Sequence, residues 1–119
     1  MLELRTLDID EVADAIIRRL RPLGLRKVIL FGSHAWGQAG ADSDVDVLVV
    51  VDDDTMPQSA ADRRVLYQRV SRRLRDLQRE MAMDLIVHTV PMHERFVERD
   101  SMFARKVLQE GTVIYAKGD

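Results

Sequence analysis

The run Asp44-Val45-Asp46-Val47-Leu48-Val49-Val50-Val51 leaves this chain few folds to choose from. Side chains alternate faces along an extended strand, so Asp44, Asp46, Leu48 and Val50 share one face and the remaining valines take the other. Beyond Asp46 both faces are apolar. A strand with two apolar faces is covered on both and belongs in the middle of a sheet. The shorter run Val28-Ile29-Leu30-Phe31 has the same character and stops at Gly32-Ser33.

The rest of the chain reads as helices and strands that could flank such a sheet. Residues 8–22 form an amphipathic helix, with Asp8 and Glu11 as a capping box and Ile9, Val12, Ala13, Ile16 and Leu20 inward. Residues 27–31 are the first strand, a short helix is expected from Ser33 to Gln38, and residues 44–51 are the second strand. A single long helix is expected over residues 59–81, capped by Ser59 and Asp62. Its inward stripe is Leu66, Val70, Leu74, Leu77 and Met81. Its outer face carries Arg63, Arg64, Arg69, Arg72, Arg73, Arg75 and Arg79. Residues 83–89 form a third strand, with Asp84, Ile86 and His88 on one face. Pro91 opens a helical region stepped at Asp100-Ser101, with Phe96, Phe103 and Val107 inward and Gly111 as its cap. Residues 113–115 close the sheet at an edge. The expected fold is therefore α/β, one domain over residues 1–119, with a mixed sheet of about four strands flanked by helices.

Composition removes several function classes. The chain has no cysteine, which excludes disulfides and thiolate metal sites and makes a reducing cytoplasm the simplest compartment. No apolar run is long enough for a membrane span, and the first residues carry no signal-peptide core. The net charge of -2 implies no polyanion partner, and the arginine-rich helix face has little aromatic interleaving beyond Tyr67. Direct nucleic-acid binding is therefore set aside. The usual explanation of such arginines is a solvated face with local ion pairs, and docking of a partner is the second reading. Homodimer and hetero-oligomer are both left open.

Three carboxylates need a reason. An aspartate inside an apolar strand is costly unless something pairs with it, and like charges close together need a cation between them. No arginine lies in or beside the second and third strands, so a divalent metal is the candidate, and oxygen-only ligands favour Mg²⁺ or Mn²⁺. If the first two strands are antiparallel, Gly32 and Ser33 meet Asp44 and Asp46 at one sheet end. If the helix over 59–81 is a crossover to a parallel third strand, Asp84 joins them. Backbone N–H groups after Gly32 and the Ser33 hydroxyl would hold phosphate oxygens. Asp44 and Asp46 would hold the metal on a triphosphate, and Asp84 would take a proton from an attacking hydroxyl or ligate a second metal. That is the equipment for nucleotidyl transfer.

Gly32-Ser33, ten further residues and then Asp44-Val45-Asp46 resembles the signature of the polymerase-β-like nucleotidyltransferase superfamily. Over nearly the whole chain the sequence is similar to its minimal nucleotidyltransferases, the type paired with HEPN-domain toxins. The later Asp84 and the closing Glu110-Gly111-Thr112-Val113-Ile114-Tyr115 take part in the likeness. The resemblance implies nucleotide binding at Gly32 and Ser33, and catalytic and metal-binding roles for Asp44, Asp46 and Asp84. It also implies ATP as substrate, Mg²⁺ as cofactor, and transfer of AMP to a tyrosine of a HEPN-domain toxin, with this chain as antitoxin. Many relatives carry arginines where this chain has His34 and Trp36. That difference supports an alternative: a non-catalytic antitoxin that neutralises its toxin by binding, with a weak nucleotide site.

Overall fold

The computed structural model describes residues 8–32 and 45–118. Four strands form one sheet in the order β3-β2-β1-β4. β2 (Val45–Val51) lies inside it, flanked by β1 (Leu25–Phe31) and β3 (Met83–His88). Its seven residues are buried except Asp46, which is half-buried, as two apolar faces require. β1 pairs antiparallel with β2, and β3 pairs parallel with it. β4 (Thr112–Ala116) pairs antiparallel with β1 at one edge. The sheet is mixed and four-stranded, as expected.

The helices divide between the two faces. α1 (Ile9–Leu20), α2 (Ala60–Arg73) and α3 (Arg75–Glu80) supply Val12, Ile16, Leu20, Leu66, Val70, Leu74 and Leu77 to one core. There they meet Val28, Leu30, Val45, Val47, Val49 and Val51. α4 (Val90–Arg99) and α5 (Met102–Glu110) cover the other face, where Val107 and Phe96 meet Ile29, Leu48, Val50, Ile86 and Phe31. The alternation along β2 thus assigns Asp46 to the α4–α5 face, with Leu48 and Val50.

Local chemistry explains the helix starts. The Asp10 and Glu11 N–H groups donate to Asp8 Oδ1 at 3.0 and 3.4 Å. The Ser59 hydroxyl accepts from the Asp62 N–H, and Ser101 does the same for Ala104. Asp62 reaches back to the Gln58 N–H rather than that of Ser59, so the expected reciprocal box is displaced by one residue.

The structure corrects four expectations. The helix expected over residues 59–81 is two, because the Leu74 N–H bonds the Ser71 carbonyl three residues back in a tighter turn before the chain resumes as α3. The turn keeps Leu74 and Leu77 in the core. It also aims Asp76 at Arg19 of α1, whose guanidinium grips both carboxylate oxygens at 2.5–3.0 Å. A helical period alone cannot show such a step. β1 starts two residues early, at Leu25, where the Gly24 carbonyl accepts from the Asp52 N–H. Phe103 is 48% exposed rather than inward, its edge against Phe31 at 5.8 Å between ring centres. β3 ends at His88, where Thr89 becomes the cap of α4. The helix expected from Ser33 to Gln38 lies outside the described residues.

His88 is a core residue. It is 9% exposed, packs on Phe96 at 5.1 Å, and places its Nδ1 3.3 Å from that of His93. Burial, and then the charge His93 would carry, push its pKa down to about 4. Burial and the charge of Lys27 push His93 down as well. Both rings are therefore neutral at pH 7, one nitrogen donating and the other accepting. An unfolded histidine titrates near pH ~6.5, so between ~6.5 and about 4 the unfolded chain binds more protons. The stability tied to neutral His88 is complete above that window and falls as pH drops through it, by roughly 2 kcal/mol between pH 6.5 and 5. Thermal unfolding followed over this range should show the decline. His88→Phe should flatten it, and an unaltered slope in that variant would contradict a buried neutral imidazole.

Candidate active site

Two registers define one rim of the sheet. Phe31, the last residue of β1, is the antiparallel partner of Asp46. Asp84, near the start of β3, is the parallel partner of Asp46. Neighbouring strands are about 4.8 Å apart and paired residues face the same side. Asp46 and Asp84 therefore project side by side on the α4–α5 face, with Phe31 on the other flank of Asp46. Of the site residues expected from sequence, Asp46, Asp84 and Gly32 are brought together. Ser33 and Asp44, with His34 and Trp36, lie outside the described residues.

Gly32 shows why its type matters. Its φ of +79° is a left-handed conformation that residues with a Cβ rarely adopt. A Cβ built there would collide with Asp46 Oδ2 and approach its Cγ to 3.0 Å. The missing side chain is the space in which the Asp46 carboxylate sits. Backbone and carboxylate thus approach closely where β1 turns away, which is where a phosphate would need backbone N–H groups.

The acids differ in setting. Asp46 is half-buried beneath the rim, whereas Asp84 is exposed and makes no ion pair or hydrogen bond among the described residues. No group of three metal-ligating side chains occurs among the described residues. The pair that is present, Asp46 with Asp84, offers carboxylate oxygens from two strands at one level. Gly32 leaves the space beside Asp46 open. Such a donor set suits a hard divalent cation.

Phe31 and Phe103 are the residues that sequence reasoning missed. Phe31 is the register partner of Asp46, and the half-exposed Phe103 stands against it, so two aromatic rings wall one side of the acids. Only the strand register links Phe31 to Asp46. Its place just before Gly32 was the available signal. His88 lies four residues beyond Asp84 on β3, about 13 Å along the strand, and is not part of this rim.

The family described as polymerase beta, nucleotidyltransferase matches residues 15–119. No curated protein matches the chain. Among solved structures, a toxin–antitoxin with AMP-PNP is similar at a TM-score of 0.55 and 20% identity, over 88% of this chain and 73% of that one. A mutant of the toxin–antitoxin MntA–HpeT, with two aspartates separated by one residue changed to glutamate, gives 0.52 and 18% over the same shares. A proposed nucleotidyltransferase from Sulfolobus solfataricus gives 0.58 and 22%, over 92% of this chain and 80% of that one. At these identities the structures speak for the fold alone. The family match spans nearly the whole chain and includes every strand that builds the acid rim, and on that basis the chain belongs to the polymerase beta nucleotidyltransferase family.

Proposed function

We propose that this chain transfers AMP from ATP to a hydroxyl of a partner protein. In this reading it is the antitoxin of a toxin–antitoxin pair, and its acceptor is a tyrosine of a HEPN-domain toxin. The observation that carries the proposal is the register that sets Asp46 beside Asp84 at the end of β1, with Gly32 leaving room for the Asp46 carboxylate. Family membership supports nucleotidyl transfer as the reaction. The toxin–antitoxin neighbours, one with AMP-PNP and one altered at a spaced pair of aspartates, support the choice of nucleotide, partner and acids.

Each residue then has a task. Asp44 and Asp46 would hold Mg²⁺, with Mn²⁺ as a substitute, and Asp84 would be a third ligand or the general base. When bound, the cation supplies positive charge to the triphosphate. Backbone N–H groups at Gly32 and Ser33, with the Ser33 hydroxyl, orient phosphate oxygens. As base, Asp84 accepts the proton of the acceptor hydroxyl. The hydroxyl oxygen forms a bond to the α-phosphorus, the bond from that phosphorus to the bridging oxygen breaks, and pyrophosphate leaves with the electron pair. The exposure of Asp84 suits a group that must meet an incoming protein. His34 and Trp36, standing where relatives carry arginine, favour the second reading, neutralisation by stoichiometric binding with a weak nucleotide site.

Transfer of label from α-labelled ATP to the partner protein tests the first reading. Asp46→Asn should abolish labelling with the fold retained by circular dichroism, and labelling that persists would refute the assignment. Asp84→Asn should lower the rate by about 10²–10⁴ with Mg²⁺ affinity unchanged if Asp84 is the base. A loss of Mg²⁺ affinity instead would make it a ligand. Full neutralisation of the toxin by Asp46→Asn would favour the binding reading.

Gly32→Ala gives an independent check. The methyl group should force the Asp46 carboxylate aside and strain a left-handed backbone, at a cost of about 1–2 kcal/mol. Mg²⁺-dependent ATP binding, followed by calorimetry, should then be lost in a protein that still folds. Unchanged binding would show that the Gly32–Asp46 approach has no part in the site.

A further inference from the structure

β3 is an edge strand. Among the described residues it pairs with β2 on one side and with nothing on the other. In a parallel pair alternate N–H and C=O groups turn away from the neighbour, so the outer edge carries unused donors and acceptors. Natural edges are commonly guarded by lysine or proline, and Met83–His88 has neither. The edge carries one charge, Asp84, at the end that belongs to the acid rim.

Two hollows follow this edge. One, of about 450 Å³, lies between α2 and β3 and is lined by Leu66, Tyr67, Leu85, Val87 and Met92 among others. The next, of about 410 Å³, has an apolar floor of Met56, Pro57, Met92 and Phe96 and a rim of Arg63, Arg95 and Arg99. Arg63 and Met92 line both, so the hollows form one groove. No carboxylate lines the second hollow.

Two other arginines of α2 are already engaged. Arg69 pairs with Asp53, and Arg73 donates to the Arg19 carbonyl at 2.6 Å. The side chains of Arg63, Arg64, Arg95 and Arg99 make no ion pair or hydrogen bond among the described residues, and all four residues are exposed. Two helices thus aim unpaired guanidinium groups at one strand edge. A free strand edge, apolar side hollows and uncompensated positive charge are together what an extended acidic segment would fill.

We propose that the outer edge of β3, between α2 and α4, is the docking groove for an extended acidic segment of the protein this enzyme modifies. The inference rests on the acceptor being a protein, as proposed above. The segment adds as a further strand on β3, places apolar side chains toward Tyr67 and Met92, and meets Arg63, Arg95 and Arg99 with its carboxylates. Because the same edge begins at Asp84, docking there brings the acceptor to the acid rim. RNA is the less fitting occupant. It would use the arginines and not the strand edge, and of the residues lining the two hollows Tyr67 is the exposed aromatic ring available for stacking.

Fluorescence anisotropy on the full chain tests this with three labelled probes: a short alternating Glu–Val peptide, its Lys–Val counterpart and a short oligouridylate. The Glu–Val peptide should bind, weaken at least ~tenfold with Arg95→Glu plus Arg99→Glu, and weaken as salt rises. Tighter binding of the oligouridylate, or of the Lys–Val peptide, would overturn the proposal, as would no Glu–Val binding. In label transfer, the same double variant should raise the acceptor KM at least ~tenfold while kcat and the KM for ATP stay unchanged. A changed KM for ATP would assign the arginines to the nucleotide and also overturn it. Labelling that depends on Asp46 but ignores the arginines would remove the groove and leave the transferase reading standing.

Discussion

The pairing of β2 with two unlike neighbours organises everything else. β1 meets it antiparallel, so the end of β1 lies at the start of β2. β3 meets it parallel, so the start of β3 lies there too. Three chain points far apart in sequence thereby share one rim. The parallel pairing is possible because α2 and α3 carry the chain back across one face, a return that a tight turn could not make. β2 can hold the central position because valine and leucine fill both of its faces, leaving Asp46 at its start as the polar member.

The cost of that arrangement sits at the same rim. Asp46 and Asp84 are carboxylates on paired positions of neighbouring strands, a donor set that suits a hard cation. A Gly32 backbone with positive φ presses against the inner one. Strained backbone, close approach and like charge are thus gathered in one place. The opposite end of the sheet is managed differently. There His88 and His93 sit neutral against Phe96 and complete a core.

The arginines show how one residue type serves two purposes. Arg19, Arg69 and Arg105 are matched by Asp76, Asp53 and Asp100 and tie elements or turns together. Arg63, Arg64, Arg95 and Arg99 around the β3 edge have no side-chain partner among the described residues. Exposed pairs of the first kind contribute little each. Guanidinium groups so placed are what the proposed acidic segment would meet.

Much was legible before any coordinates. The apolar runs 28–31 and 45–51 identified the inner strands because burial on both faces removes the usual alternation, and the caps at Asp8 and Ser59 marked helix starts. Parity and chain direction led to the expectation that Gly32, Asp46 and Asp84 meet if the strands paired that way, and the pairing itself is a property of the tertiary structure. The step at Leu74 was hidden, because one turn tightened by a single bond leaves the helical stripe unbroken. Phe31 and Phe103 at the acids, and the groove along β3, were also hidden. Each depends on which strand lies beside which and in what register, and only long-range packing decides that. Sequence by itself determined which residues must be buried and which carboxylates need a partner. The tertiary structure alone decided which of them stand side by side, because strand register is chosen by the two cores closing together and not by any local preference.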